Sequence, residues 1–205
     1  MVILLFVTVF KFWGGMNWND KNHLFTFHPF FMVLGMIYLY GNAVISFQYL
    51  EKLPRILAKI FHTAMHIINM AFTIVALVAI FKLESKHLKS LHAWIGIAVV
   101  ISYFLQWFCS FLVFMLPFAP EKLRAYTIVV HRYFGIIIFI GAIVSVISGL
   151  ANEDDQNGVG GKVASSLGVF VLLFGASIIY SATHKGYGNK SKGDNEESAP
   201  LIIEE

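Results

Sequence analysis

Charge is scarce in this chain of 205 residues. Only 13% are Asp, Glu, Lys or Arg, 58% are hydrophobic, and the mean hydropathy is +0.72. A soluble domain of this size spreads charge over all its faces, at about a quarter of its residues, so that class is excluded. Cysteine is scarcer still. Cys109 stands alone inside an apolar run, which excludes an internal disulfide framework, and no C-x-x-C-H attachment motif is present. Asp and Glu are missing from the long apolar runs, where proton and metal transporters commonly keep such groups. The net charge of +3 is small and divided among loops, so nothing in it points to nucleic acid.

What is present is apolar sequence in lengths that match a bilayer. About 30 Å of hydrocarbon takes roughly 20 helical residues, and backbone groups in lipid must be satisfied internally, so such runs mean helices. The predicted spans are 24–49, 56–81, 91–117, 124–150 and 162–183. The breaks between them carry turn or charge chemistry, as at Lys52, Pro54 and Arg55 or Pro117 to Lys122. They are short, which favours antiparallel neighbours in a bundle. Residues 1–13 are also apolar, but helical rise makes them only about 18–20 Å long. They lack the small-residue cleavage pattern of a signal peptide, and Phe12-Trp13-Gly14-Gly15 reads as an interfacial helix end. A shortened first membrane helix is therefore expected. The breaks at 50–59 and 118–132 and the segment from 184 hold nine Lys and Arg, the opposite breaks five. The positive-inside bias then puts the C-terminus in the cytosol.

Four of the eight histidines share one placement. His28, His62, His92 and His131 each fall near the start of a successive span. Consecutive helices run in opposite directions, so histidines near the starts of alternate helices lie at one membrane level. His28 then pairs with His92 near the lumenal face, and His62 with His131 near the cytosolic face. Paired imidazoles are a standard axial set for haem iron and leave no open coordination position, which suits electron transfer rather than oxygen binding. A flat, wide porphyrin also needs neighbours without side chains. Gly96 follows His92 by four residues, Gly135 follows His131 by four, and His28, Gly35 and Asn42 recur every seven.

Competing readings attach to the same residues. A single histidine near a helix end is an ordinary interfacial anchor, and small-residue stripes serve close helix packing. A haem-free metal or proton carrier could use the four histidines as a relay, and a structural membrane adaptor would need none of them. His66, one turn beyond His62, either lines a site or bonds a neighbour. His23 and His87 fall in breaks and are expected to be exposed. Gly158-Val159-Gly160-Gly161 lacks the strand–helix context of a nucleotide loop and reads as a flexible turn.

The chain resembles the cytochrome b561 family. The resemblance runs from Trp13 to about Tyr180 and is carried by FHPFFMVLGMIYLYGNA (27–43), KIFHTAMH (59–66), SLHAWIG (90–96), FLQW (104–107), VFMLPFAP (113–120), LRAYTIVVHRYFG (123–135) and SVISG (145–149). It implies an all-α, six-helix transmembrane bundle over residues 1–183, with two non-covalent b haems inside the central four helices. It also implies axial ligands at His28, His62, His92 and His131, and an oxidoreductase taking electrons from cytosolic ascorbate to monodehydroascorbate or ferric iron. Lys59 and Arg124 match basic family positions and become the expected cations for the ascorbate anion. The arginine often found at the end of the first ligand-bearing helix is absent, since that stretch reads AVISFQYLEK. A homodimer is left open. Residues 184–205 are polar and read as a disordered cytosolic tail. Glu197-Ser198-Ala199-Pro200-Leu201-Ile202 is similar to an acidic dileucine signal, as in the lysosomal branch of the family, so a late endosomal or lysosomal membrane is expected.

Overall fold

The computed structural model of the chain describes residues 1–83, 88–116, 118–151 and 159–197. The described residues form helices and turns only. In chain order these are α1 (Val2–Phe12), α2 (Lys21–Leu24), α3 (Phe27–Tyr49), α4 (Arg55–Leu83), α5 (Leu91–Phe114), α6 (Glu121–Leu150) and α7 (Val159–Glu197). Five segments are long and apolar enough to cross a membrane: α3, α4, α5, α6 and, within α7, Gly161–His184. The chain is a multi-pass membrane protein, and each crossing agrees with its predicted span to within a few residues. α7 continues as helix to Glu197, past His184, where the polar tail was expected to begin. His87, Gly158 and Ser198 to Glu205 lie outside the described residues.

Local chemistry sets the helix starts. Pro54 precedes α4 and its carbonyl accepts from Leu57 and Ala58 at 2.9 and 3.3 Å, while its fixed φ suits a first turn. Ser90 caps α5, its hydroxyl accepting from the Ala93 amide at 3.2 Å, and so satisfies one of the otherwise orphaned amides. Pro120 ends an extended stretch before α6, and Glu121 sets negative charge against the helix's positive end.

The central helices pack as two antiparallel hairpins, α3 with α4 and α5 with α6, whereas α4 and α5 touch sparsely. The apolar core lies to one side, where α3 and α6 meet α1 and α7. There Leu5, Val9, Ile37, Leu167 and Val171 are fully buried and Phe139 nearly so. The short α1 is thus packed into the bundle, as a shortened first helix should be. Its end is closed by Gly14 and Gly15, both left-handed at φ +77° and +85°. The Thr26 hydroxyl donates to the Gly15 carbonyl at 2.8 Å, and a Cβ on Gly14 would sit 2.6 Å from His23 Nε2. His23 is accordingly half-buried over Gly14, with its Nδ1 2.6 Å from Asp20. The sequence expectation of an exposed His23 fails because the glycine turn folds back over it.

α3 is not a uniform α-helix. Val33–Leu39 is wound as a π-helix, whose i→i+5 bonding widens the turn and shifts every later side chain around the axis. Of the seven-residue stripe, His28 and Gly35 both meet α4, His28 at the Ala76 carbonyl. Gly35 is buried against α4, where a Cβ would meet Asn69 Oδ1 at 2.5 Å, and Asn42 donates to the Tyr38 carbonyl of its own helix at 2.7 Å.

Candidate functional site

Each expected histidine pair is assembled across the two hairpins. His28, in the first turn of α3, places Nδ1 3.3 Å from the Ala76 carbonyl on α4. His92, in the first turn of α5, places Nδ1 2.7 Å from the Ser145 carbonyl on α6. The two ring centres are 6.0 Å apart with planes at 88°. At the other end His62 on α4 sets Nδ1 2.9 Å from the Ala43 carbonyl and 3.2 Å from the Ser46 hydroxyl, both on α3. His131 on α6 sets Nδ1 2.8 Å from the Ser110 hydroxyl on α5. These ring centres are 6.1 Å apart with planes at 72°. His62 and Ala76 occupy one helix, and the 14 residues between them rise about 21 Å, which separates the two pairs along the bundle.

The donor arrangement is what a metal-bound imidazole requires. A carbonyl can only accept, so Nδ1 of His28, His62 and His92 carries the proton and Nε2 keeps its lone pair. Ligating histidines characteristically fix their tautomer in this way, through an outer partner on the other nitrogen. An imidazole nitrogen lies about 1.1 Å from its ring centre and bonds a metal at about 2 Å, so two rings on opposite sides of one ion have centres roughly 6 Å apart. Both pairs meet that spacing. Among the described residues no group of three or more His, Cys, Asp or Glu is placed to hold one metal ion.

A cavity of about 560 Å³ adjoins the His62–His131 pair. Tyr40, His66, Tyr103 and Gly135 are among its lining residues, with Lys59, Arg132 and Glu51 among the charged ones. Gly135 thus faces the cavity, and its carbonyl takes the Tyr40 hydroxyl at 3.0 Å. Gly96 instead permits helix contact, since a Cβ there would meet Ser145 Oγ at 3.2 Å. Lys59 stands in the cavity wall. Arg124 does not. Its Nη2 donates to the Leu116 carbonyl just beyond α5 at 3.1 Å, and its Nε is buried without a partner.

The sequence model for eukaryotic cytochrome b561 matches residues 27–155, which span all four histidine-bearing helices. The chain belongs to the cytochrome b561 family. It is 33% identical to the lysosomal membrane ascorbate-dependent ferrireductase CYB561A3 of Mus musculus, over 98% of this chain and 91% of that protein. It is 32% identical to the Homo sapiens protein of the same name over the same shares. The Mus musculus plasma membrane ascorbate-dependent reductase CYBRD1 is 29% identical, over 89% of this chain and 68% of its own length.

His66 both lines the cavity and bonds a neighbour, the two alternatives left open for it, and the partners it meets, Tyr103 and Tyr40, are the side chains of this b561 chain that escaped sequence reasoning. His66 is buried with its ring centre 4.6 Å from that of His62. Its Nδ1 lies 3.2 Å from the Tyr103 hydroxyl, which donates to the His66 carbonyl at 3.0 Å. Tyr40 closes the group, with ring centres 5.3 Å from His66 and 5.4 Å from Tyr103. The only signal available was the single turn between His62 and His66, and it could not say which neighbour His66 would meet. Gly149 supports the His92 ring closely, because a Cβ there would meet His92 Cε1 at 2.8 Å.

Proposed function

We propose that this protein carries electrons from ascorbate across its membrane, through two b haems, to ferric iron or monodehydroascorbate. The observation that supports this most directly is the pair of histidine couples, each with ring centres about 6 Å apart and each joining one hairpin to the other. His28 with His92 would hold one haem and His62 with His131 the other. When bound, each haem would supply a one-electron carrier between donor and acceptor. The backbone carbonyls of Ala43, Ala76 and Ser145 keep Nε2 of three ligands unprotonated and aimed away from the helix that holds Nδ1. Lys59 faces the cavity and attracts the ascorbate anion. Arg124 holds the chain leaving α5 against the start of α6, and so acts on the donor through the shape of the rim.

The His62–His131 end is assigned to the cytosol, on the charge bias and the need for ascorbate there. The C-terminus then shares that side. A late endosomal or lysosomal membrane is the proposed location, supported by the tail motif and by the names of the relatives in mouse and human.

The deciding experiment is an absorption spectrum with a haem-to-protein ratio on the purified chain. Two haems per chain, reduced by ascorbate, are expected. His28→Ala and His92→Ala should each remove one and the same haem, and His62→Ala and His131→Ala the other. Folded but colourless protein from haem-supplied cells would sink the reading. Matching spectral losses in His28→Ala and His62→Ala would overturn the pairing.

A further inference from the structure

The cavity beside His62 and His131 has a charge pattern that anchoring does not explain. Lys59 enters its wall from α4 and Arg132 from α6, one cation from each hairpin, while a single carboxylate, Glu51, lines it. Basic side chains that merely mark the membrane surface reach outward to headgroups. These two converge on one space. Charge at the edge of a low-dielectric bundle acts far more strongly than in water, so two converging cations want a negative occupant. Arg132 is exposed and next in sequence to His131, and its planar fork grips paired oxygens in a way that the point charge of lysine cannot. Two other arginines are expected on this side: Arg55 is not in the cavity lining, and Arg124 has its Nη2 committed to the Leu116 carbonyl.

We propose that Arg132, together with Lys59, clamps an oxyanion in this cavity, and that Arg132 is the arginine that positions it. This rests on the haem and ascorbate reading above. The chemistry has two available sources, the carboxylates of the bound porphyrin and the free anionic donor.

The test uses the full-length, haem-loaded chain in detergent, with Arg132→Gln and Arg132→Lys. Two quantities are read. One is retention of the His62–His131 haem under competition from apomyoglobin. The other is calorimetric binding of ascorbate 2-phosphate, a redox-inert anion. Losing a charge-assisted hydrogen bond should weaken one of them about tenfold to a hundredfold in Arg132→Gln, with partial recovery in Arg132→Lys. Faster haem loss with unchanged phosphate-ester binding assigns the clamp to the porphyrin carboxylates. Weaker binding with haem retained assigns it to the donor. If Arg132→Gln leaves both within twofold of wild type, the clamp is refuted while the two-haem reading stands. A wild-type chain without haem removes that reading and the clamp with it.

Discussion

The hydrogen atom that Gly149 carries in place of a side chain lets His92 lie against α6 and reach the Ser145 carbonyl. A Cβ at that position would come within 2.8 Å of the imidazole carbon and 3.0 Å of Nδ1, closer than packed atoms tolerate, and α6 cannot withdraw without opening its contact with α5. Gly149→Val is therefore expected to take the His28–His92 site from one haem per chain to none while leaving the other site filled, as read from the spectrum and haem ratio. Lys59 belongs to a different kind of contact. It lines the cavity through which an anion would approach. Lys59→Gln should slow reduction by ascorbate about tenfold, the scale of one lost charge-assisted contact, with haem content unchanged. Equal ascorbate kinetics would return Lys59 to the role of an interfacial anchor.

At the scale of the helix, α3 contributes to both sites at once. It carries His28 itself and the Ala43 carbonyl and Ser46 hydroxyl that orient His62. Its seat on α4 depends on Gly35, buried in the π-wound segment against Asn69 and Phe72. Gly35→Leu should lift α3 from α4, destabilise the fold by about 1–3 kcal/mol, and lower occupancy at both haem sites together, in contrast to the single loss expected from Gly149→Val. Parallel measurement of melting temperature and haem ratio on the two variants separates them. The same helix shows where sequence stops being legible. The pairing of His28 with His92 and of His62 with His131 could be read from chain order, because antiparallel helices fix which ends share a membrane level whatever the rotation of each helix. Rotation is what the sequence concealed. The meeting of His66 with Tyr103 depends on the relative rotation of α4 and α5. Arg132 was hidden for another reason: a basic residue near a helix end looks the same whether it faces headgroups or a cavity.

Across the whole molecule the direction of the chain in the membrane governs three assignments together: the side from which ascorbate arrives, the side on which the tail meets sorting machinery, and the fate of Asn189-Lys190-Ser191, an N-x-Ser glycosylation acceptor. A cytosolic C-terminus requires that Asn189 carry no glycan, and substituting Leu201 and Ile202 by alanine should move the protein from lysosomes towards the cell surface. A glycan on Asn189, seen as an endoglycosidase-sensitive shift on a gel, would invert the map. An unmodified Asn189 with unaltered location in the alanine variant would cost the lysosomal assignment alone. The two-hairpin architecture adds an ordering in time. When the first hairpin has left the ribosome, His28 and His62 are both made and neither has a partner. The first ligand couple exists only once His92 is translated, the second only once His131 is. On the proposed two-haem reading, cofactor acquisition would be a late event in biogenesis, and each haem would bolt together halves that meet only sparsely along α4 and α5. Residues 1–89 and 90–205 expressed separately should stay colourless, and expressed together should recover a two-haem spectrum. Cells short of haem should accumulate chains whose halves are unbolted, a form that quality-control proteases can distinguish from the finished protein.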